Sequence, residues 1–178
     1  MRKAIATFCL LLIITVCAGQ NNKNISIEHA VPDLNGTWVL DESKSRLKPS
    51  PNEKVTDYVL IITHHEPEIR FDNRFKKNGV YSSRDWLYYT DGRSEASALG
   101  QDMEVTTRWK GKKLFRRITT VRRNPFNNVS EQTVTEEEWV LSEDAQTLTR
   151  TISRSSAGRP GRNDLDLLNE KYVLRRLH

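Results

Sequence analysis

The sequence predicts an all-β chain of short antiparallel strands closed as a barrel or a sandwich. Three observations predict it. Residues 69–75 and 103–109 alternate with period two, the spacing of a half-buried strand. Turn signals separate such runs: Asn78-Gly79, Asp91-Gly92 and Lys110-Gly111-Lys112. No stretch of the chain sustains a helical period.

Taken in order, residues 1–19 read as a signal peptide. Arg2 and Lys3 precede an apolar run over 8–16, and small residues follow at Ala18 and Gly19. That run is too short to span a bilayer, so no transmembrane segment is expected. The expected location is periplasmic or secreted. Cys17 offers a lipid-anchor alternative, but Val16 before it departs from the small residue such signals use, and soluble export is the expectation. Residues 20–33 read as a flexible polar arm, and residues 34–178 as one domain.

Within that domain the first strand covers 36–40, and 41–45 form a turn. Pro49 and Pro51 make a loop, because proline cannot donate to a ladder. A β-branched strand over 58–63 stops at His64-His65-Glu66-Pro67. In 69–75, Ile69, Phe71, Asn73 and Phe75 share one face. Strands follow over 80–90, 103–109, 114–122, 132–141 and 147–154. Residues 93–102 carry no clear pattern. The Gly, Ser and Pro content of 155–163 predicts a mobile loop, 164–169 a short helix, and 171–175 the last strand.

Composition excludes several functions. Lys and Arg number 28 against 23 acidic residues, a net charge of +5. Removing Arg2 and Lys3 with the leader lowers this to 26 − 23 = +3. Such a mixed-sign chain, without a basic stripe or stacked aromatics, is not expected to bind nucleic acid. Cys9 and Cys17 both fall in the leader, so the remaining chain has no disulfide and no thiolate chemistry. Gly-x-Ser-x-Gly, His-Glu-x-x-His and Gly-rich phosphate loops are absent, and no enzyme activity or cofactor is expected. His64 and His65 would point apart on a strand, so no metal site is expected either.

The segment Leu34-Asn35-Gly36-Thr37-Trp38-Val39-Leu40-Asp41 resembles the entry of a lipocalin-type barrel. Tyr89-Thr90-Asp91-Gly92, Arg108-Trp109-Lys110-Gly111-Lys112 and Trp139-Val140-Leu141-Ser142-Glu143-Asp144 extend the resemblance to lipocalin-like domains of secreted bacterial proteins. The resemblance implies a single antiparallel up-and-down β-barrel with a short C-terminal helix and a last strand. It implies that Gly36 permits close approach at the closed end and that Trp38 plugs it. An arginine late in the chain would pack across that Trp; Arg175 is the first choice and Arg176 the other.

If the barrel is open, aromatic residues such as Trp86, Tyr88, Trp109 and Trp139 would line its cavity and stack on a ligand. The competing reading is that they fill the core. An inward Arg84 or Arg117 could hold an acidic head group. The competing reading for the Arg116-Arg117 pair is an ion pair across the strands to Glu136, Glu137 or Glu138. The expected function is non-catalytic binding of a small apolar or amphipathic molecule. The alternative is a filled barrel acting as an envelope-associated interaction domain.

Overall fold

The computed structural model describes residues 31–48, 54–96, 102–123, 130–157 and 168–177. These form ten strands: β1 (Gly36–Leu40), β2 (Val55–His65), β3 (Glu68–Lys77), β4 (Val80–Tyr89), β5 (Asp91–Ala96), β6 (Asp102–Lys110), β7 (Lys113–Arg123), β8 (Ser130–Leu141), β9 (Thr147–Ala157) and β10 (Leu168–Leu177). All belong to one sheet in the order β4-β3-β2-β1-β10-β9-β8-β7-β6-β5. Every neighbouring pair is antiparallel, and β1 closes the circuit by pairing with β10.

The two sheet ends, β4 and β5, are consecutive in the chain and part at Thr90 without pairing to each other. Side chains bring the ends together. The Arg116 guanidinium of β7 lies 4.6 Å from the Tyr88 ring of β4, and the Phe71 ring of β3 lies 5.0 Å from that of Trp139 on β8. The result is a nearly closed up-and-down barrel, with one seam between β4 and β5.

Alternation decides which side chains enter it. Trp38, Leu60, Ile62, Ile69, Phe71, Leu114, Trp139, Leu148 and Leu174 are buried inside. Trp38 is fully covered, and its indole donates to the Leu34 carbonyl at 3.1 Å. Gly36 stands at a φ of 138°, and a Cβ there would lie 3.8 Å from both the Arg176 guanidinium and the Trp38 indole. That distance is ordinary contact, so it is the positive φ, which side-chain-bearing residues rarely adopt, that favours glycine at this entry.

Three expectations change. Leu168 and Asn169, expected in a helix, belong to β10, which pairs with β9 from Leu168↔Arg154 onward; residues 164–167 lie outside the described residues. Ser155–Ala157, expected in a loop, extend β9 against Gln132–Val134, while 158–163 lie outside. Asp91 and Gly92, expected as a turn, and residues 93–96, which carry no clear pattern in the sequence, form β5 through pairing with β6. In each case a partner strand supplies the ladder that local composition did not suggest. The leader 1–19 and arm residues 20–30 also lie outside the described residues.

Candidate functional site

The interior holds a buried charge cluster on three adjacent strands. Arg116 (β7), Glu137 (β8) and Arg150 (β9) all face inward. Arg116 Nη2 lies 2.5 Å from Glu137 Oε2, and Arg150 Nη2 lies 2.6 Å from Oε1. Arg150 Nε and the Trp139 indole also donate to Oε2, at 3.1 and 3.2 Å. Burial alone would push the Glu137 carboxyl up. The two guanidinium charges and their hydrogen bonds outweigh it and hold the carboxyl down at about 2. Burial likewise opposes the Arg150 charge, and Glu137 more than compensates, raising it above its ordinary value.

Aromatic rings wall this cluster. Arg116 lies over Phe71 at 5.3 Å and Tyr88 at 4.6 Å; Arg150 lies over Trp139 at 4.9 Å and Tyr172 at 5.3 Å. Burial, with Glu170 nearby, pushes the Tyr172 hydroxyl up to about 12. Arg116 Nε and Nη1, together with Thr107 Oγ1, are buried with no hydrogen-bond partner among the described residues. Thr107 stands directly opposite Arg116 in the β6–β7 ladder. These donors aim into the interior with capacity to spare.

Beside the cluster, towards the end away from Trp38, the inward faces of β7, β8 and β9 line a wide-mouthed cup of about 430 Å³ that is open to solvent. Its walls carry Ile118, Ile152 and a run of threonines, and Glu137 and Arg150 form its floor. Arg122 and Arg154 line it with Glu131, so three guanidinium groups face two carboxylates. Arg154 donates from Nε to Thr135 Oγ1 at 3.3 Å.

The opposite end is latched by Glu66. This side chain, in the turn between β2 and β3, receives the Trp109 indole at 2.6 Å and contacts His64 Nε2 at 2.7 Å. The Thr90 hydroxyl also donates to it. One carboxylate thus ties the β2–β3 turn to the end of β4 and to β6, across the seam where the backbone ladder stops. Burial would raise the Glu66 carboxyl, but the hydrogen bonds from Thr90, His64 and Trp109 hold it below its ordinary value.

The residues singled out from sequence divide between these regions. Tyr88 and Trp139 are buried against the charge cluster. Trp109 belongs to the Glu66 latch, its ring 5.7 Å from that of His64. Arg84 and Trp86 share the inward face of β4 with Tyr88 but are exposed beside the seam, Arg84 lying 5.8 Å from the Phe75 ring.

Arg117 is corrected. It faces outward, 59% exposed, 3.4 Å from Glu136, because adjacent strand residues point to opposite faces and Arg116 takes the interior. Arg175 is corrected for the same reason. It faces out towards Asp41 at 3.5 Å, and Arg176 packs over Trp38 at 4.6 Å. Arg150, Glu137 and Glu66 were missed as site residues. The signal for Arg150 was a charge on the face shared by Leu148 and Ile152. For Glu66 there was none local, since Thr90 and Trp109 are distant in sequence.

No protein-family model and no curated protein matches the chain. Among solved structures, secretory abundant heat soluble protein 4 from Ramazzottius varieornatus is similar. The match covers 81% of this chain and 94% of that one, at 15% identity and a TM-score of 0.46. The barrel assignment rests on the strand pairing of this chain itself.

Proposed function

We propose that this chain is an exported, lipocalin-like barrel that binds a small amphipathic molecule with an acidic head group and catalyses no reaction. The observation that carries the reading is the cup between β7, β8 and β9. Its volume of about 430 Å³ suits a small ligand, and its cations outnumber its carboxylates. Arg150 and Arg154 would receive the head group, replacing the Arg84 and Arg117 of the sequence reading. Ile118, Ile152 and the threonine methyl groups would cover its apolar part.

A second reading has its own support. Phe71, Tyr88 and Trp139 already pack on one another and on the arginines, as in a filled barrel that works through its surface. A fluorescent medium-chain carboxylic acid, titrated beside its neutral amide, separates the two. The acid should bind saturably and the amide far more weakly. Arg154→Gln, which leaves the Glu137 cluster intact, should weaken the acid by about tenfold, the loss of one charge-assisted hydrogen bond. Absence of saturable binding, or equal binding of acid and amide, overturns the head-group reading and favours the filled barrel.

A further inference from the structure

The buried charge cluster does not balance. Arg116 and Arg150 bring two positive charges, and Glu137 supplies one negative. Both Glu137 oxygens are engaged, Oε1 by Arg150 and Oε2 by Arg116, Arg150 Nε and the Trp139 indole. The two arginines meet the excess in different surroundings. Arg150 forms part of the floor of the cup, where water reaches it. Arg116 does not line the cup. Its side chain is 7% exposed, and its guanidinium lies over the Phe71 and Tyr88 rings. The surplus charge therefore falls on the cation with the less access to solvent, where it is the more costly.

Unused donors sit at the same place. Arg116 Nε and Nη1 and the Thr107 hydroxyl have no hydrogen-bond partner among the described residues. Thr107 is fully buried and stands directly opposite Arg116 in the β6–β7 ladder, so the two side chains are neighbours on the inward face. A buried donor without an acceptor costs its full desolvation, and more when it is charged. What satisfies all three groups is an acceptor that also carries negative charge. Water would serve the donors and leave the charge uncompensated.

No carboxylate among the described residues takes this role. Glu95 of β5 also faces inward, opposite Val105, and its carboxyl accepts the Tyr89 backbone N–H. Its Oε2 has no hydrogen-bond partner among the described residues, so it does not reach Arg116.

We infer that Arg116 and Thr107 hold a small monovalent inorganic anion of chloride size, a second counter-ion to the buried cluster. One negative charge matches an excess of one positive charge. The small size follows from the walls, because a larger organic acid would displace Phe71 or Tyr88 from the guanidinium. The inference does not rest on the ligand reading, since that reading uses Arg150 and Arg154 in the cup.

Chlorine NMR of the full chain tests it. Chloride is titrated at constant ionic strength held by gluconate, and thermal unfolding is recorded for each variant in both salts. The wild type should broaden the chloride resonance saturably, and chloride should raise its melting temperature. Thr107→Val keeps the shape and removes the hydroxyl. It should bind chloride about tenfold more weakly, the loss of one hydrogen bond to a charged partner, and fold in gluconate at least as stably as the wild type. Arg154→Gln, which weakens the acid in the cup, should leave the chloride response unchanged, so the two readings fail separately. Diffraction from crystals grown in bromide should place the anomalous peak between Arg116 and Thr107. Absence of saturable broadening, or an equal response in Thr107→Val, overturns the inference. So does a response lost in Arg154→Gln and kept in Thr107→Val, which would place the anion in the cup. A Thr107→Val variant more stable than the wild type in chloride overturns it too, because that marks a hydroxyl with nothing bound to it.

Discussion

At the end carrying Gly36 and Trp38, the inward side chains are large and close on one another. Towards the opposite end, threonines, isoleucines and arginines leave about 430 Å³ between them. The same period-two alternation builds both regions, so the backbone does not distinguish plug from cup. Side-chain volume and charge do. Each region is organised by one carboxylate with a different task. Glu66 joins strands that the ladder leaves apart. Glu137 supplies the counter-charge shared by two arginines that the interior could not otherwise hold. One is a mechanical tie, the other an electrostatic one, and the two should fail differently.

The larger failure belongs to Glu137. Glu137→Gln keeps the shape but leaves Arg116 and Arg150 facing each other without a counter-charge. Removing one partner from a buried ion cluster costs about 3–5 kcal/mol, and chemical denaturation should register a loss of that order. The same residue sets the acid limit of the fold. Its carboxyl sits at about 2 when folded, against an ordinary value of 4.5. The folded state therefore binds fewer protons than the unfolded state between those values. The stabilisation is fully present above the ordinary value and is lost as pH falls through about 2. Urea midpoints measured at decreasing pH should drop in that window for the wild type and flatten in Glu137→Gln. Parallel slopes would show that the cluster does not govern acid stability.

Glu66→Gln should cost less, about 1–3 kcal/mol, because the turn is partly solvated and an amide oxygen can still accept one of the donors. Its signature is position. Amide exchange should accelerate in β5, β6 and the end of β4, which the latch gathers, and much less in β8 and β9, which are laddered on both sides. A uniform acceleration across the sheet would mean that Glu66 contributes only to global stability.

What could be read from sequence follows the same division. The hairpins at Asn78-Gly79 and Lys110-Gly111 and the shared face of Ile69, Phe71 and Asn73 were legible, because each depends on neighbours within one strand or turn, whereas the burial of Trp38 was expected only through the family resemblance. The parity of β7 was not. Leu114 and Phe115 are both apolar and Arg116 and Arg117 both charged, so local pattern gives no preference, and the inward face is set by β6 and β8 on either side. The same ambiguity placed Arg175 where Arg176 belongs. The strand at Leu168 and Asn169 depends on β9, which local propensity cannot see. The Glu66 latch joins three segments distant in sequence.

The smallest expected effect tests that parity directly. Arg116 and Arg117 are adjacent, chemically identical and each paired with a glutamate on β8. They differ only in which side of the sheet they occupy. Arg117→Gln removes a solvent-exposed ion pair and should change stability by no more than about 0.5 kcal/mol. Arg116→Gln removes a buried guanidinium from Glu137 and from the faces of Phe71 and Tyr88, and should approach the cost of Glu137→Gln itself. Denaturant midpoints of the two variants, measured side by side, report the orientation of β7 without any ligand. Equal effects would mean that neither arginine is sequestered, and a reversed order would place Arg117 inside and turn the strand over.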